Sequence, residues 1–92
     1  MSSVSPVTLY TTAWCPFCVR AKQLLEHKGS AYHEISVDGQ PELRQEMMQR
    51  SGQRTVPQIW VGEHHIGGCD ELYALERAGR LDTLLAEASQ TR

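Results

Sequence analysis

The stretch VTLYTTAWCPFC, residues 7–18, decides the fold of this 92-residue chain. Its first five residues are rich in β-branched and aromatic side chains, which predicts a strand. Pro16 then suits the first position of a helix, where its missing N–H costs no hydrogen bond. Cys18 and the apolar residues after it recur at helical spacing until Gly29 ends the helix. The chain therefore opens with a strand that passes into a helix through a Cys-x-x-Cys sequence.

The rest of the chain continues the alternation of strands and helices. Residues 32–37 alternate in polarity as a second strand does, and residues 41–51 fit a second helix that begins with proline and ends before glycine. Residues 58–61 and 64–66 predict two more strands, and the two-residue turn between them predicts an antiparallel hairpin. Two helices complete the chain, so the predicted order of elements is β-α-β-α-β-β-α-α.

This order of elements allows few topologies. The first β-α-β unit must be a right-handed parallel crossover, and the hairpin adds an antiparallel pair. We predict an α/β protein with a four-stranded mixed sheet flanked by helices, which is the layout of the thioredoxin fold. One domain is expected over residues 1–92, with an ordered core over about residues 7–87 and frayed ends.

Composition and charge exclude several classes of function. The net charge is −2, with six cations against five anions in residues 1–60 and three against six in the remainder. A protein that binds the nucleic-acid backbone carries an excess of cations, so this class is excluded. No apolar run reaches the length of about 18 residues that a membrane span needs, and residues 1–6 lack the charged and apolar regions of a signal peptide. We therefore expect a cytoplasmic monomer that binds neither nucleic acid nor a membrane.

The first two of the three cysteines occupy unequal positions on the predicted helix. Cys15 lies at the helix start, where unpaired N–H groups and the helix dipole stabilise a negative charge. We expect it to be an exposed nucleophile with a lowered pKa. Cys18 lies one turn later, in line with Ala21 and Leu25, and is expected to face the core. It is therefore predicted to be the resolving thiol, which attacks once a mixed disulfide has formed at Cys15.

A metal site is the alternative interpretation of the same pattern. A Cys-x-x-Cys pair can supply half of a zinc site, and His64, His65 and Cys69 are conceivable partners. Pro16, however, favours a helix start over a metal knuckle, and an amphipathic helix follows at once. Redox chemistry is therefore the preferred interpretation, and no metal is expected.

Three segments of the sequence resemble the signatures of the dithiol glutaredoxins. They are CPFC at residues 15–18, TVP at residues 55–57 and GGCD at residues 67–70. The resemblance covers about residues 7–85 and is to the small bacterial glutaredoxin 3 type. Pro16-Phe17 between the cysteines is typical of glutaredoxins, although Trp14 before them is more typical of thioredoxins.

The resemblance implies an enzyme, a glutathione-dependent thiol–disulfide oxidoreductase. Such an enzyme reduces protein disulfides and glutathione mixed disulfides through the Cys15–Cys18 pair, with glutathione as co-substrate. Its expected partners are disulfide-bonded or glutathionylated proteins, and ribonucleotide reductase is one candidate client. One alternative is an electron donor recharged by thioredoxin reductase. Another is a glutathione-bridged iron–sulfur module, which Pro16 disfavours.

The resemblance also implies which residues contact glutathione. Asp70 is expected beside the γ-glutamyl end and Arg44 beside the glycyl carboxylate. A cis Val56–Pro57 bond would leave the backbone of Val56 free to pair with the cysteinyl unit. The implied binding residues are Phe17, Arg44, Thr55, Val56, Pro57, Gly68, Cys69 and Asp70. Of these, Cys69 is also expected to be a free, buried thiol that behaves as a small hydrophobic residue.

One departure from the family pattern leads to a prediction. Many members carry a lysine three residues before the first cysteine, where this chain has Thr12. We expect Thr12→Lys to lower the pKa of Cys15, because a nearby ammonium stabilises a thiolate. Titration of the thiolate's ultraviolet absorbance measures this pKa, with Thr83→Lys as a control that adds the same charge elsewhere. An unchanged pKa in Thr12→Lys would contradict the expectation.

Overall fold

The computed structural model describes residues 7–90, with side chains to residue 88. We expect frayed ends at residues 1–6 and about 88–92; residues 88–90 instead belong to the last helix, whereas residues 1–6 and 91–92 lie outside the described residues. Within the described part, no helix is long and apolar enough to cross a membrane. The elements in chain order are β1 (Val7–Thr11), α1 (Pro16–His27), β2 (Tyr32–Ser36), α2 (Pro41–Ser51), β3 (Gln58–Val61), β4 (His64–Gly67), α3 (Cys69–Arg77) and α4 (Leu81–Gln90).

The predicted order of elements is confirmed, and the boundaries differ by about one residue. β2 ends at Ser36 rather than at Val37, although the Val37 N–H still donates to the Thr11 carbonyl at 2.9 Å. Pro16 and Pro41 each begin a helix, as the sequence predicts. The two prolines were therefore sufficient to locate the starts of α1 and α2.

The sheet is mixed and has the order β2-β1-β3-β4. β1 pairs parallel with β2 and antiparallel with β3, and β3 pairs antiparallel with β4. This arrangement confirms the predicted thioredoxin-type layout. Because Tyr10 lies opposite Gln58, the end of β1 and the start of β3 share one edge of the sheet. The segments after β1 and before β3 are therefore neighbours in space.

Helices cover both faces of the sheet, and the sheet divides the core into two clusters. Successive strand residues point to opposite faces, so Leu9 and Tyr10 belong to different clusters. The larger cluster lies against α1, α3 and α4 and includes Leu25 and Leu72. The smaller cluster lies against α2 and consists of Tyr10, Val37, Met47 and Trp60. Burial of these side chains is the main stabilising contribution to the fold.

Polar contacts of the Tyr10 hydroxyl and the Arg50 guanidinium lie at the boundary between the smaller cluster and solvent. The Tyr10 and Trp60 rings pack edge to face at 5.4 Å, and the Arg50 guanidinium lies 4.5 Å from the Trp60 ring centroid. The Tyr10 hydroxyl donates to Glu46 at 2.9 Å and accepts from Arg50 at 2.8 Å. Burial, followed by the hydrogen bond to Glu46, raises the pKa of Tyr10. These contacts fix α2 on the sheet.

A buried glutamine joins the hairpin to the segment before β3. Gln58 is fully buried, and its Nε2 lies within donating distance of the Thr55 carbonyl (3.0 Å), the Thr55 hydroxyl (3.2 Å) and Gln53 Oε1 (3.2 Å). Its Oε1 lies 2.7 Å from His65 Nε2 on β4. A buried amide is tolerated when its donors and acceptor are satisfied, as they are here. Gln58 therefore holds residues 53–55 against the sheet.

We expect Gln58→Leu to lower the free energy of unfolding by about 1–3 kcal/mol, because it removes the hydrogen bonds that the buried amide makes with Gln53, Thr55 and His65. Urea unfolding followed by circular dichroism measures the change. Gln45→Leu on the exposed side of α2 is the matched control, and it is expected to have little effect. Equal midpoints and slopes for the two variants would contradict this role of Gln58.

Candidate active site

Cys15 is the N-cap of α1, with extended backbone angles (φ −125°, ψ 101°). Its Sγ accepts a hydrogen bond from the Cys18 N–H at 3.0 Å, which is an N-cap contact made by sulfur. The first turn of α1 contains no acidic residue. Negative charge on this sulfur therefore meets an N–H donor and the positive end of the helix dipole.

The two cysteines form a disulfide, with their Cα atoms 5.1 Å apart. Cys18 is 1% exposed and lies on the core face of α1, as predicted. The expected exposure of Cys15 is wrong, because Cys15 is only 7% exposed. The reason is a contact between distant parts of the chain. The segment before β3 lies against Cys15, with the Val56 carbonyl oxygen 3.8 Å from Cys15 Sγ.

The two cations that follow the cysteines are committed to other partners. Lys22 forms an ion pair with Glu34 at 3.0 Å, and the Arg20 guanidinium lies 5.6 Å from the Tyr73 ring centroid. Burial alone would raise the pKa of Glu34, but hydrogen bonds from the Thr11 hydroxyl and Lys22 outweigh it and lower the pKa. The start of α1 therefore supplies the charge-stabilising group that contacts Cys15 directly, the Cys18 N–H.

A cavity of about 230 Å³ lies beside the disulfide. The cavity is bounded by the first turn of α1, the segment before β3 and the start of α3. The peptide bond between Val56 and Pro57 in its wall is cis, as the resemblance implies. The lining residues are Phe17, Gln53, Thr55, Val56, Pro57, Gly68, Cys69, Asp70 and Glu71. Seven of the eight residues that the resemblance implies for binding thus surround one cavity.

Arg44 is the implied binding residue that does not line this cavity. Its Nη1 donates to the Arg54 carbonyl at 3.1 Å, which ties α2 to the segment before β3. Thr12, which replaces the family's lysine, lies in a separate groove with Cys18. A contact between Arg44 and a ligand therefore stays a prediction.

Two residues of the cavity wall were missed in the sequence. Gln53 faces the cavity while its Oε1 accepts from Gln58. Glu71 accepts from the Gly68 N–H at 2.8 Å and so caps α3. A glutamate three residues after a helix start is a known capping signal, and it could have identified Glu71. Gln53 carries no such signal, because its place depends on a contact across the fold.

Two glycines make room for the Glu71 carboxylate. Gly67 has φ +116°, and a Cβ there would lie 3.0 Å from Glu71 Cγ. A Cβ on Gly68 would lie 3.4 Å from both the Pro57 carbonyl oxygen and Glu71 Oε1. Gly67-Gly68 therefore allows α3 to begin close to Pro57, which closes the cavity on that side.

Cys69 is a free, buried thiol at the start of α3, as expected. Burial is the main reason that its pKa is raised, with nearby Asp70 and Glu71 adding to the effect and Arg20 opposing it. A thiol with a raised pKa is a poor nucleophile at neutral pH. Cys69 therefore contributes apolar surface to the cavity wall.

His65, one of the two histidines considered as metal ligands, has other contacts. His65 stacks on Trp60, with ring centroids 4.8 Å apart, and binds Gln58. Within residues 7–88, no group of three or more His, Cys, Asp or Glu side chains is arranged to hold a metal ion. The geometry around Cys15 and Cys18 is that of a redox pair beside a ligand cavity.

Comparison with known proteins agrees with this geometry. The glutaredoxin family model matches residues 7–66. The chain is 64% identical over 81 residues to a glutaredoxin of Pseudomonas aeruginosa, covering 88% of this chain and 96% of that protein. It is 53% identical over 79 residues to glutaredoxin 3 of Escherichia coli K12, covering 86% and 95%.

Solved structures of glutaredoxins also superimpose on this chain. A buckwheat glutaredoxin–glutathione complex superimposes with a TM-score of 0.87 at 32% identity, covering 96% of this chain and 83% of that one. A glutaredoxin from Brucella melitensis gives a TM-score of 0.80 at 49% identity, covering 99% and 98%. With its redox pair at a helix start, this chain belongs to the glutaredoxin family of thiol–disulfide oxidoreductases.

Proposed function

We propose that this oxidoreductase uses glutathione as its co-substrate and reduces both protein disulfides and glutathione mixed disulfides. The observation that carries the proposal is the cavity beside the disulfide, where the Val56 carbonyl lies 3.8 Å from Cys15 Sγ. A tripeptide whose own sulfur reaches Cys15 would lie against this backbone segment. The glutathione complex of the buckwheat protein supports the same choice of ligand.

The cavity wall suits a small ligand that carries both signs of charge. The first turn of α3 presents backbone N–H groups, which attract a carboxylate, and the Asp70 side chain, which attracts an ammonium. Val56 supplies a backbone edge that can pair with an extended peptide. Phe17 provides an apolar wall on the side of the cysteines. Glutathione has two carboxylates, one ammonium and a peptide backbone, and so can use each of these groups.

The dithiol reaction proceeds by two exchanges. The Cys15 thiolate attacks one sulfur of the client disulfide, forms a mixed disulfide and releases the other client sulfur as a thiolate. The Cys18 thiolate then attacks Cys15 Sγ, which closes the Cys15–Cys18 bond and releases the second client thiolate. Two glutathione molecules return the two electrons in the same way, leaving glutathione disulfide and both protein thiols.

The monothiol reaction needs Cys15 alone. Its thiolate attacks the glutathione sulfur of a glutathionylated protein, binds glutathione as a mixed disulfide and releases the protein thiolate. The thiolate of a second glutathione then attacks the sulfur of the bound glutathione, which releases glutathione disulfide and regenerates the Cys15 thiolate. Here glutathione occupies the cavity, and the protein remains outside it.

We propose disulfide-bonded and glutathionylated proteins as the macromolecular partners and the reducing cytoplasm as the site of action. An odd number of cysteines, one of them free and buried, suits a reducing compartment better than a secreted disulfide framework. Ribonucleotide reductase is one candidate client, since its turnover leaves a disulfide to be reduced.

A coupled assay tests the dependence on glutathione. NADPH oxidation is followed with a glutathione mixed disulfide of 2-mercaptoethanol as substrate, in the presence of either glutathione reductase and glutathione or thioredoxin reductase alone. We expect turnover only in the first mixture. Equal turnover with thioredoxin reductase and no glutathione would instead identify a thioredoxin-like electron donor.

Serine substitutions separate the roles of the two cysteines. We expect Cys15→Ser to abolish turnover of both kinds of substrate, because it removes the nucleophile at the helix start. Cys18→Ser should retain deglutathionylation and lose the reduction of protein disulfides. Ala86→Ser, on the exposed part of α4 and outside the cavity, is the control and should retain both activities. Activity of Cys15→Ser, measured in the same coupled assay, would show that the assignment of the nucleophile is wrong.

A further inference from the structure

One hydrogen-bond network runs from an exposed edge of the sheet to the wall of the cavity beside the disulfide. His65 on the edge strand β4 binds the Gln58 side chain on β3. The Gln58 amide in turn binds Gln53 and Thr55, which line the cavity. The network therefore connects two residues outside the cavity to two residues in its wall.

Burial fixes the direction of the hydrogen bonds that Gln58 makes. Gln58 is fully buried, so both ends of its amide must find partners inside the protein. A backbone carbonyl can only accept, so the amide nitrogen faces the Thr55 carbonyl at 3.0 Å. The amide oxygen then faces His65 Nε2 at 2.7 Å, and this ring nitrogen must carry the hydrogen. A rotated amide would lose both contacts.

The same direction is imposed on the side chains of the cavity wall. The Gln58 nitrogen lies 3.2 Å from Gln53 Oε1, so the Gln53 amide presents its oxygen to Gln58. The hydrogens on Gln53 Nε2 are not used in this contact. The Thr55 hydroxyl oxygen lies 3.2 Å from the same nitrogen and accepts from it, so the hydroxyl hydrogen is not used there either. Gln58 thereby leaves the donors of both wall residues to other acceptors.

The backbone of this wall segment is held by separate contacts. The Gln53 N–H donates to Ser51 Oγ at 3.0 Å, and the Ser51 hydroxyl donates to the Gln53 carbonyl at 3.0 Å. Arg44 Nη1 donates to the Arg54 carbonyl at 3.1 Å. Because these contacts do not involve Gln58, removal of its amide should chiefly release the wall side chains that it orients. The wall would then lose the preorganisation of its donors.

Oriented N–H and O–H donors favour a ligand that supplies hydrogen-bond acceptors. Glutathione carries two carboxylates and two peptide carbonyls. Bis(2-hydroxyethyl) disulfide carries neither kind of group, although it can react with the same sulfur. The network should therefore affect the reaction of a glutathionyl group at Cys15 more than the reaction of a hydroxyethyl group.

We propose that Gln58, and His65 through it, are positioning residues for the cavity. They orient the donors of Gln53 and Thr55 and thereby set the preference of the cavity for a glutathionyl group. This inference rests on the proposed use of glutathione. It assigns a role in substrate selectivity to a buried amide and to an exposed histidine, both of which lie outside the lining of the cavity.

The test measures how the reduced protein discriminates between two oxidants. Rate constants for its oxidation by glutathione disulfide and by bis(2-hydroxyethyl) disulfide are obtained by acid quenching and mass spectrometry. Each oxidant takes two electrons from Cys15 and Cys18, which form their disulfide, and leaves as two thiols. The ratio of the two rate constants reports on the cavity, because a change in the reactivity of Cys15 itself would alter both.

Two variants interrupt the network at different points. Gln58→Met keeps a long, buried side chain without amide donors, and His65→Phe keeps a ring against Trp60 without the Nε2 hydrogen. His64→Phe, at the neighbouring exposed position of β4, is the matched control, since its side chain points to the opposite face of the strand.

We expect Gln58→Met to slow the reaction with glutathione disulfide about five-fold and His65→Phe to slow it about three-fold, which are the losses expected for about one hydrogen bond. The reaction with bis(2-hydroxyethyl) disulfide should change by less than about two-fold in both variants, because it gains little from the wall donors. His64→Phe should leave both rate constants unchanged.

A double-variant cycle tests whether His65 acts through Gln58. Addition of His65→Phe to Gln58→Met should cause no further loss of selectivity, because the Nε2 donor has already lost its acceptor. Independent, multiplicative losses would show that His65 acts by another route and would overturn its assignment.

Circular dichroism at the assay temperature shows whether each variant is folded. If Gln58→Met is not, His65→Phe at its exposed position decides the question. An unchanged ratio of rate constants in the folded variants, or equal slowing with both oxidants, would overturn the proposal while the glutathione proposal stands. A parent protein that does not prefer glutathione disulfide would refute the proposed use of glutathione and this inference with it.

Discussion

The antiparallel pairing of β1 with β3 is the constraint on which the site depends. It sets Tyr10 opposite Gln58, so the segment after β1 and the segment before β3 leave the sheet at one edge. Cys15 follows β1 by four residues, and Pro57 directly precedes β3. A register shift of one residue would reverse the faces of both core clusters and separate the Val56 carbonyl from Cys15. The hydrophobic core therefore fixes the distance between the reactive sulfur and the cavity wall.

The site combines a reactive sulfur with restricted access to it. The Cys18 N–H and the start of α1 stabilise charge on Cys15, while the segment before β3 covers most of its surface. That segment is itself held by two hydrogen bonds to its backbone carbonyls, one from the buried Gln58 amide and one from the Arg44 guanidinium. Access to Cys15 thus depends on a segment whose position is set by one half-buried and one exposed polar contact. Selectivity can then arise from what surrounds the sulfur, without any change in its chemistry.

Local signals predicted the fold and the position of the Cys15–Cys18 pair at a helix start, whereas contacts between distant residues escaped the sequence. Pro16 and Pro41 each mark a helix start within the chain itself, which is why the order of elements was correct. The burial of Cys15 depends on Val56, about 40 residues away, so helix position alone gave the wrong exposure. Gln53 enters the cavity wall through Gln58, a contact that no local pattern encodes.

The resemblance to a family extended what the residues alone could predict. It implied the cis bond before Pro57 and gathered residues from three separate segments into one site, which propensity and spacing could not do. The resemblance does not predict, however, which group a long side chain will contact. Arg44 has an exposed carbonyl within reach and binds it, and a position in an alignment carries no information on that choice.

The two sides of the disulfide differ in their charge. On the Phe17 side, the start of α3 offers backbone N–H groups together with Asp70, so both signs of charge can be bound there. On the Val19 side, a separate groove includes Lys22 and Glu34, which form an ion pair with each other at 3.0 Å. A zwitterionic tripeptide is therefore better placed on the Phe17 side than on the Val19 side. Because Cys15 Sγ bonds one ligand sulfur at a time, the client and glutathione reach the same atom in successive steps of the exchange rather than together.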